Sequence, residues 1–541
     1  MRPILFIRLV LLFMLPQLLA GQTIPKEGSE LNFRRVGFSF PIAGTVTKYK
    51  IEIASKAWDR EDSFKKNIIK TVYSTSGRAI AEVPYFDKEY TWQVTYTYKN
   101  ATMTKSPLHH FRTGYNSSID TAKNLRLRIL DTAKKYRDNY VFVDGNNVLY
   151  DMKGNPVWYL PYNEKNGQEF PMVRDLKISP QGTLTYLINQ HAIEESYNGD
   201  TLWKGPNNGE VSGEDSERYH HEFTRLTNGH YMVLGVEHVL WDHKITPVDT
   251  GFAMTEDDKV KTDTSTSGTT KKTPFGTIIE YDEQGHVVWS WKSSTYMMGS
   301  DVVNYRPEGK AKVIDVHENA FYFDERDSVI YISFRNLSRI LKIKYPEGTV
   351  INTYGEIFKP GKAPAGNGLF SYQHGIKKSK NGYLYLYNNN PTEDSLAKPT
   401  IVLLKESASG KDSLTKIWEY ECNIAGIRFN ELYRKAREKR QEKAQKKMAP
   451  QLWKGTMFRV TTGGSVTELP NKDLFVCMNS QYSKLFIVNR DKKILWSATP
   501  ELYNRVNSEW YLNVHLYRAC LVTPKELDKL IYNSMKTQEN K

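Results

Sequence analysis

Three histidines stand at one register of a recurring pattern. His221 lies seven residues before the turn Asn228-Gly229, and His374 seven before Asn381-Gly382. His317 lies seven before Asp324, which opens the looser turn Asp324-Glu325-Arg326-Asp327. An apolar run follows each turn: Tyr231-Met232-Val233-Leu234, Tyr383-Leu384-Tyr385-Leu386 and Val329-Ile330-Tyr331-Ile332. Arg174 keeps the same offset from Gln181-Gly182. Equal register in a repeat means positions related by rotation, so if one of these side chains faces a central channel, all do. Three imidazoles and a guanidinium converging on one point make a cationic, hydrogen-bond-donating pocket for a tetrahedral oxyanion. Two other readings fit the same residues. Each His could tie its strand to a neighbour by a structural hydrogen bond, or the three could bind zinc. Against zinc, Arg174 would repel a cation, and Asp175 and Glu222 should face the other way by strand alternation.

The elements that must position these groups recur from about residue 140. A strand and a turn lead into a strand ending in Trp, as in Leu149-Tyr150-Asp151-Met152-Lys153-Gly154-Asn155-Pro156-Val157-Trp158. Residues 279–289 and 486–496 repeat it, ending in Trp289 and Trp496; Trp203 and Trp418 end similar strands, and Tyr354 takes the position once. Six such units predict an all-β fold, a six-bladed β-propeller over 140–525, with the strand around 510–522 closing the ring. Residues 22–115 alternate as short strands and predict a small N-terminal β-sandwich domain. Between the two, residues 116–139 read as a linker helix from the spacing of Leu125, Leu127, Ile129, Leu130 and Ala133. Residues 526–541 read as a C-terminal tail. The polar segment 255–274 reads as a surface loop. Residues 430–448 read as an exposed helix, with eight Lys or Arg and two acids between 434 and 447. No aromatic platform accompanies that basic run, so a solvated face is favoured over nucleic-acid binding.

The chain has 541 residues, 12% of them aromatic, and a formal net charge of +14, so an anionic partner fits its surface. Residues 1–21 have the form of a signal peptide: Arg2, an apolar stretch, then Ala20-Gly21. No other segment is apolar enough to span a membrane, so the exported protein is expected to be soluble and periplasmic. Three cysteines, Cys422, Cys477 and Cys520, match no zinc spacing and read as buried thiols. No phosphate-binding G-x-x-x-x-G-K-[ST] loop is present.

Taken together, these segments resemble the bacterial arylsulfate sulfotransferases that need no nucleotide sulfate donor. The resemblance rests on Tyr219-His220-His221-Glu222, Val316-His317-Glu318-Asn319-Ala320 and Ile332-Ser333-Phe334-Arg335. It rests also on Tyr372-Gln373-His374-Gly375 with Asn388-Asn389, and on Tyr517-Arg518-Ala519-Cys520. Thr461 and Thr462 lie near the family's Thr. It implies sulfuryl transfer from a phenolic sulfate to a phenol acceptor, ping-pong, through a sulfohistidine, with no cofactor and no metal. His374 is the implied nucleophile, with His221, His317 and Arg335 as its catalytic partners. Arg174, Asn319 and Thr462 are expected to bind substrate. The resemblance also implies a homodimer. A propeller that only binds an anionic ligand or a surface partner is the alternative, since fold does not fix function.

Overall fold

The computed structural model describes residues 23–42, 45–162, 170–241, 271–297, 303–305, 311–313, 316–355, 368–390, 398–408, 413–429, 431, 435, 439 and 463–539. The signal segment, Thr461 and Thr462 lie outside these, as does most of the basic insertion, of which Glu431, Lys435 and Lys439 are helical and exposed. The chain is nearly all β and divides into two compact units, residues 1–114 with 535–541, and residues 115–534. Among the described residues no helix is long and apolar enough to cross a membrane.

The first unit holds a six-stranded sheet and a two-stranded one. Alternation in Arg35–Ser39 sends Val36 and Phe38 inward, where both are fully buried. The Phe38 ring meets Trp92 at 4.9 Å and Phe111 at 6.2 Å, so the aromatic residues of the two sheets share one core.

The second unit is built, among the described residues, from six successive antiparallel sheets of four or more strands, with a two-stranded sheet of Val303–Tyr305 and Ala311–Val313 beside them in sequence. The first comprises Tyr140–Val143, Val148–Asp151 and Pro156–Tyr159, and its fourth strand is Ala519–Val522 from the far end of the unit. The second to fifth begin at Val173–Ile178, Tyr219–Arg225, Glu318–Asp324 and His374–Lys378, and each has four strands in sequence order. The sixth begins at Ser465–Glu468 and carries Glu509–Leu512 and Leu125–Asp131 on its outer strand Ile494–Asn504. Their hairpin turns share one local device. Asp151 Oδ1 accepts the Lys153 and Asn155 amides at 2.8 and 2.9 Å, and Asp282 Oδ1 those of Gln284 and His286 at 2.9 and 2.8 Å. These are Asx turns, followed by glycines at φ +86° and +88°.

The six unit-ending aromatic residues link each sheet to the next. Trp158 Nε1 donates to Tyr197 O of the second sheet at 2.8 Å, and Trp203 stacks on Tyr231 of the third at 3.9 Å. Trp289 donates to Pro346 O of the fourth sheet, Tyr354 to Glu406 of the fifth and Trp418 to Arg490 O of the sixth. Trp496 then donates to Met152 O of the first sheet at 3.1 Å, which completes a cycle. Apolar clusters fill the spaces between neighbouring sheets; Leu234, Phe275, Phe321 and Ile332 meet between the third and fourth.

Three readings of the sequence need correction. Residues 116–139 are not a linker helix: Leu125–Asp131 is a strand, and Leu125, Leu127 and Ile129 alternate with period two as it pairs with Ile494–Asn504. The expected tail is a helix, Pro524–Glu539. Its start is a capping box, with Glu526 N donating to Thr523 Oγ1 at 3.3 Å and Thr523 N to Glu526 Oε2 at 2.8 Å, and Pro524 stands in the first turn. Residues 271–274, expected in a loop, begin the strand Lys271–Tyr281. The thiols are free, Cys422 and Cys477 buried and Cys520 half-buried.

Candidate active site

The leading strands of the second to fifth sheets all break register near their starts. The irregularities fall between Arg174 and Lys177, Tyr219 and Phe223, Glu318 and Ala320, and His374 and Lys377. Three of them contain a left-handed residue, Asp175 at φ 59°, His221 at 61° and Gly375 at 61°, and His317, at 61°, immediately precedes the other. A left-handed conformation costs a non-glycine residue roughly 1–3 kcal/mol, and such bulges re-aim side chains. Here they turn one side chain per strand into a common cavity of about 600 Å³, lined by Arg174, His221, His317, Arg335, His374 and Tyr517. The register argument thus holds: the three His and Arg174 meet at one place. No carboxylate lines the cavity among the described residues.

His374 is buried, and its hydrogen bonds fix its tautomer. Asn389 Nδ2 donates to Gly463 O at 3.1 Å, so Asn389 Oδ1 faces His374 Nδ1 at 2.6 Å and accepts its proton; Tyr372 O lies 3.1 Å from the same nitrogen. That leaves the lone pair on Nε2, which the Gly463 N–H meets at 3.1 Å. Burial first, then the Arg335 charge, hold the His374 imidazole well below its ordinary pKa, so it is neutral near pH 7. His221 is arranged alike. His220 Nε2 donates to Gly235 O at 3.0 Å, which leaves His220 Nδ1 to accept from His221 Nδ1 at 2.6 Å and puts the second lone pair on His221 Nε2. Burial and the neighbouring imidazoles depress its pKa strongly. The His221 and His317 rings meet edge to face at 5.1 Å.

The cations sit at different depths. Arg174 is exposed, with its guanidinium 4.9 Å from the centre of the Tyr517 ring. Arg335 is half-buried; its amide donates to His317 O at 2.9 Å and its Nη1 to Asn336 Oδ1 at 2.8 Å. Directly behind this lining is a buried ion cluster. Arg518 Nη1 donates to Asp175 Oδ1 at 2.7 Å and Glu222 Oε2 at 2.6 Å, while Lys177 and Lys377 reach Glu222 at 3.2 and 3.0 Å. Asp175 and Glu222 therefore do face away from the cavity. Burial opposes ionisation of Glu222, but Arg518, Lys377 and Lys177 hold its carboxyl well below the usual range.

Asn319, expected to bind substrate, does not line the cavity. Its Nδ2 donates to Gln373 O at 2.7 Å, and Gln373 Nε2 donates to Ser333 Oγ and Arg339 O at 3.0 Å. The left-handed His317 and the register break between Glu318 and Ala320, which falls on Asn319 itself, have shifted the parity by which Asn319 would follow that His inward. Asn319 instead clamps the His374 strand to the fourth sheet. Thr462 lies outside the described residues; its neighbour Gly463 lines the cavity. Sequence reading assigned no role to Asn389, His220, Tyr517 or Gly463. The His220-His221 doublet and the Gly463-Gly464 pair were the available signals. Gly463 has φ +85°, and a Cβ there would collide with Asn479.

A neutral imidazole lone pair among arginines and further imidazoles can act as nucleophile or base toward a tetrahedral anion. Among the described residues no three His, Cys, Asp or Glu side chains are grouped to hold a metal ion. The chain belongs to the arylsulfotransferase family, whose model matches residues 126–425. Membership supports an aryl sulfotransferase activity in general terms. No curated protein matches the chain. Solved structures similar to it include a protein of unknown function from Bacteroides caccae, at 11% identity and TM-score 0.37, covering 74% of this chain and 99% of that one. The periplasmic gluconolactonase PpgL of Pseudomonas aeruginosa is similar at 9% identity and TM-score 0.28, covering 74% and 99%. Likenesses this distant bear on neither the reaction nor the site.

Proposed function

We propose that the chain is an exported six-bladed β-propeller enzyme that moves a sulfuryl group from an aryl sulfate to a phenol by way of His374. The observation that carries this reading is the His374 tautomer: Nδ1–H held by Asn389, Nε2 unprotonated at the cavity. In the first half-reaction the Nε2 lone pair attacks sulfur, the bond from sulfur to the aryl oxygen breaks, and the phenolate leaves. The Gly463 N–H, released from Nε2, passes to a sulfuryl oxygen. Sulfuryl transfer resembles phosphoryl transfer, with charge spread over equatorial oxygens, and Arg335 and His317 answer that charge. In the second half-reaction a phenol attacks sulfur, the bond from sulfur to nitrogen breaks, and His221 Nε2 takes the phenol's proton and passes it to solvent, from which the phenolate released in the first half-reaction is protonated. The sum converts one aryl sulfate and one phenol into the other pair. Burial pushes the Tyr517 phenol up to about 12, so it keeps its proton and can donate a hydrogen bond to the bridging oxygen.

Intact-mass spectrometry after exposure to an aryl sulfate without acceptor tests the reading. The mass should rise by one sulfuryl group, acid-labile and mapped to the peptide holding His374, and a phenol should remove it. A label on another residue, or none, refutes the covalent route. We read the two sheets of the first unit as a β-sandwich that dimerises, and residues 1–21 as a cleaved signal for the periplasm. A strict monomer in light scattering at micromolar concentration would overturn the first, and a mature protein retaining Met1 the second.

A further inference from the structure

A second cavity of about 480 Å³ shares Met172 and His515 with the first. Its other walls include Leu125, Tyr162, Phe170 and Leu502. The two cavities differ in chemistry. The first carries two arginines and the three register histidines, whereas among the described residues no Lys, Arg, Asp or Glu lines the second. Polar groups in the second are engaged with each other. Tyr162 OH is 2.9 Å from Ser117 Oγ, and Asn124 Nδ2 donates to Ser117 O at 2.8 Å. Asn513 spends its amide on Gly145 O, Asn146 Oδ1 and the His515 N–H. Apart from the shared His515 ring, what remains is an aromatic and aliphatic wall, with the Tyr162 and Phe170 rings meeting edge to face at 5.6 Å. Such a wall disfavours a sulfate, which would leave water without a partner, and favours an uncharged ring.

We infer that this cavity is an aryl subsite and that the enzyme's substrates are phenols with two or more rings. The inference rests on the sulfuryl-transfer reading above. Met172 and His515 line both cavities, so a substrate that keeps its sulfuryl group by His374 extends its far ring past them and against the Tyr162 and Phe170 rings. Size points the same way: a cavity of about 150 Å³ suffices for benzene, so the second cavity holds more than a single ring's edge. A one-ring phenol leaves it empty of substrate; a fused or linked pair of rings fills it.

The test compares 2-naphthyl sulfate with phenyl sulfate as donors, whose leaving phenols are similarly acidic. Wild-type kcat/KM should favour the naphthyl ester by about tenfold, within what aromatic contacts of this kind supply. Phe170→Ala and Tyr162→Ala should each lower that ratio toward one. The ratio is taken on one preparation, so any inactive fraction cancels. Calorimetric binding of 2-naphthol against phenol gives a readout without chemistry, and the same preference and the same loss are expected. Equal kcat/KM for the two esters, or a ratio and a binding preference untouched by both substitutions, overturns the subsite. If neither ester is turned over while 2-naphthol still binds tighter and Phe170→Ala abolishes the difference, the transfer reading falls and the ring site stands.

Discussion

Two layers of the same strands treat charge in opposite ways. Arg174, His221 and Tyr517 line the cavity; the next residue in each case, Asp175, Glu222 and Arg518, belongs to the ion cluster behind it. Successive residues send one side chain forward and one back, Arg174–Asp175 and His221–Glu222 at the register breaks and Tyr517–Arg518 just before the strand Ala519–Val522. In the rear layer every formal charge has a counter-charge in reach, and Glu222 alone meets Arg518, Lys177 and Lys377. In the front layer arginines and imidazoles are gathered with no carboxylate on the cavity wall among the described residues. The same cationic chemistry thus binds sheets together where acids are supplied and is held ready for an anion where they are withheld.

The largest expected effect falls in the front layer. His374→Ala removes the attacking nitrogen, and phenol-dependent release from an aryl sulfate should fall by several orders of magnitude. Thermal unfolding should change far less. Retention of most of the activity would remove His374 from the chemistry.

Arginine replacements then separate the layers. Arg335→Met should cost on the order of 10²–10³ in kcat/KM, as does loss of one oxyanion donor, with a modest change in melting temperature. Arg518→Met should act first on stability, by about 3–5 kcal/mol, because Asp175 and Glu222 lose a buried counter-charge. Denaturant titration beside steady-state kinetics reads both. If the two variants show the same pattern, the distinction between the layers is wrong.

How much of this was legible in the sequence follows from how local each signal is. The turns and the unit-ending aromatics are set within ten residues, so the hairpins could be counted from the chain, whereas the partners of Trp158 and Trp496, 39 and 344 residues away, could not. Register alone carried His221, His317, His374 and Arg174 to one cavity. Asn319 misled because parity counting cannot see the register break between Glu318 and Ala320. Tyr517 and Gly463 escaped because they come from connections outside the repeat, and only three-dimensional closure brings them to His374. The Leu125–Asp131 strand was misread because its neighbours Leu130 and Ala133 mimic a helical stripe.

A smaller effect concerns pH. Burial depresses the pKa of both His374 and His221, so each stays neutral below about 6.5, where an exposed imidazole would take up a proton. The acid limb of kcat/KM should therefore lie below that value; a limb at 6.5 or above would mean that the reacting imidazole is not buried as described. For stability the sign is the same. Above about 6.5 the two groups cost nothing, and as pH falls below it the unfolded chain binds protons that the folded one refuses, so stability declines toward the depressed folded pKa values.

The smallest expected effect is the most discriminating, because activity and stability should move in opposite directions. Tyr517 is buried, its ring lies 4.9 Å from the Arg174 guanidinium and 5.3 Å from that of Arg518, and its hydroxyl has no hydrogen-bond partner among the described residues. An orphaned buried hydroxyl costs roughly 1–3 kcal/mol, so Tyr517→Phe should leave the fold as stable or raise its stability. Its rear neighbour shows the contrast: removing a satisfied group such as Arg518 can only destabilise. If the Tyr517 hydroxyl donates to the bridging oxygen in the transition state, the variant should lose about tenfold in kcat with an aryl sulfate whose phenol is a poor leaving group. With a nitrophenyl ester, whose leaving oxygen carries less charge, the loss should shrink to about twofold. A purely structural role would give the same loss for every leaving group. Rates for a series of substituted phenyl sulfates, plotted against phenol pKa for wild type and variant, decide between them: steeper dependence in the variant supports the donor role, and parallel lines exclude it.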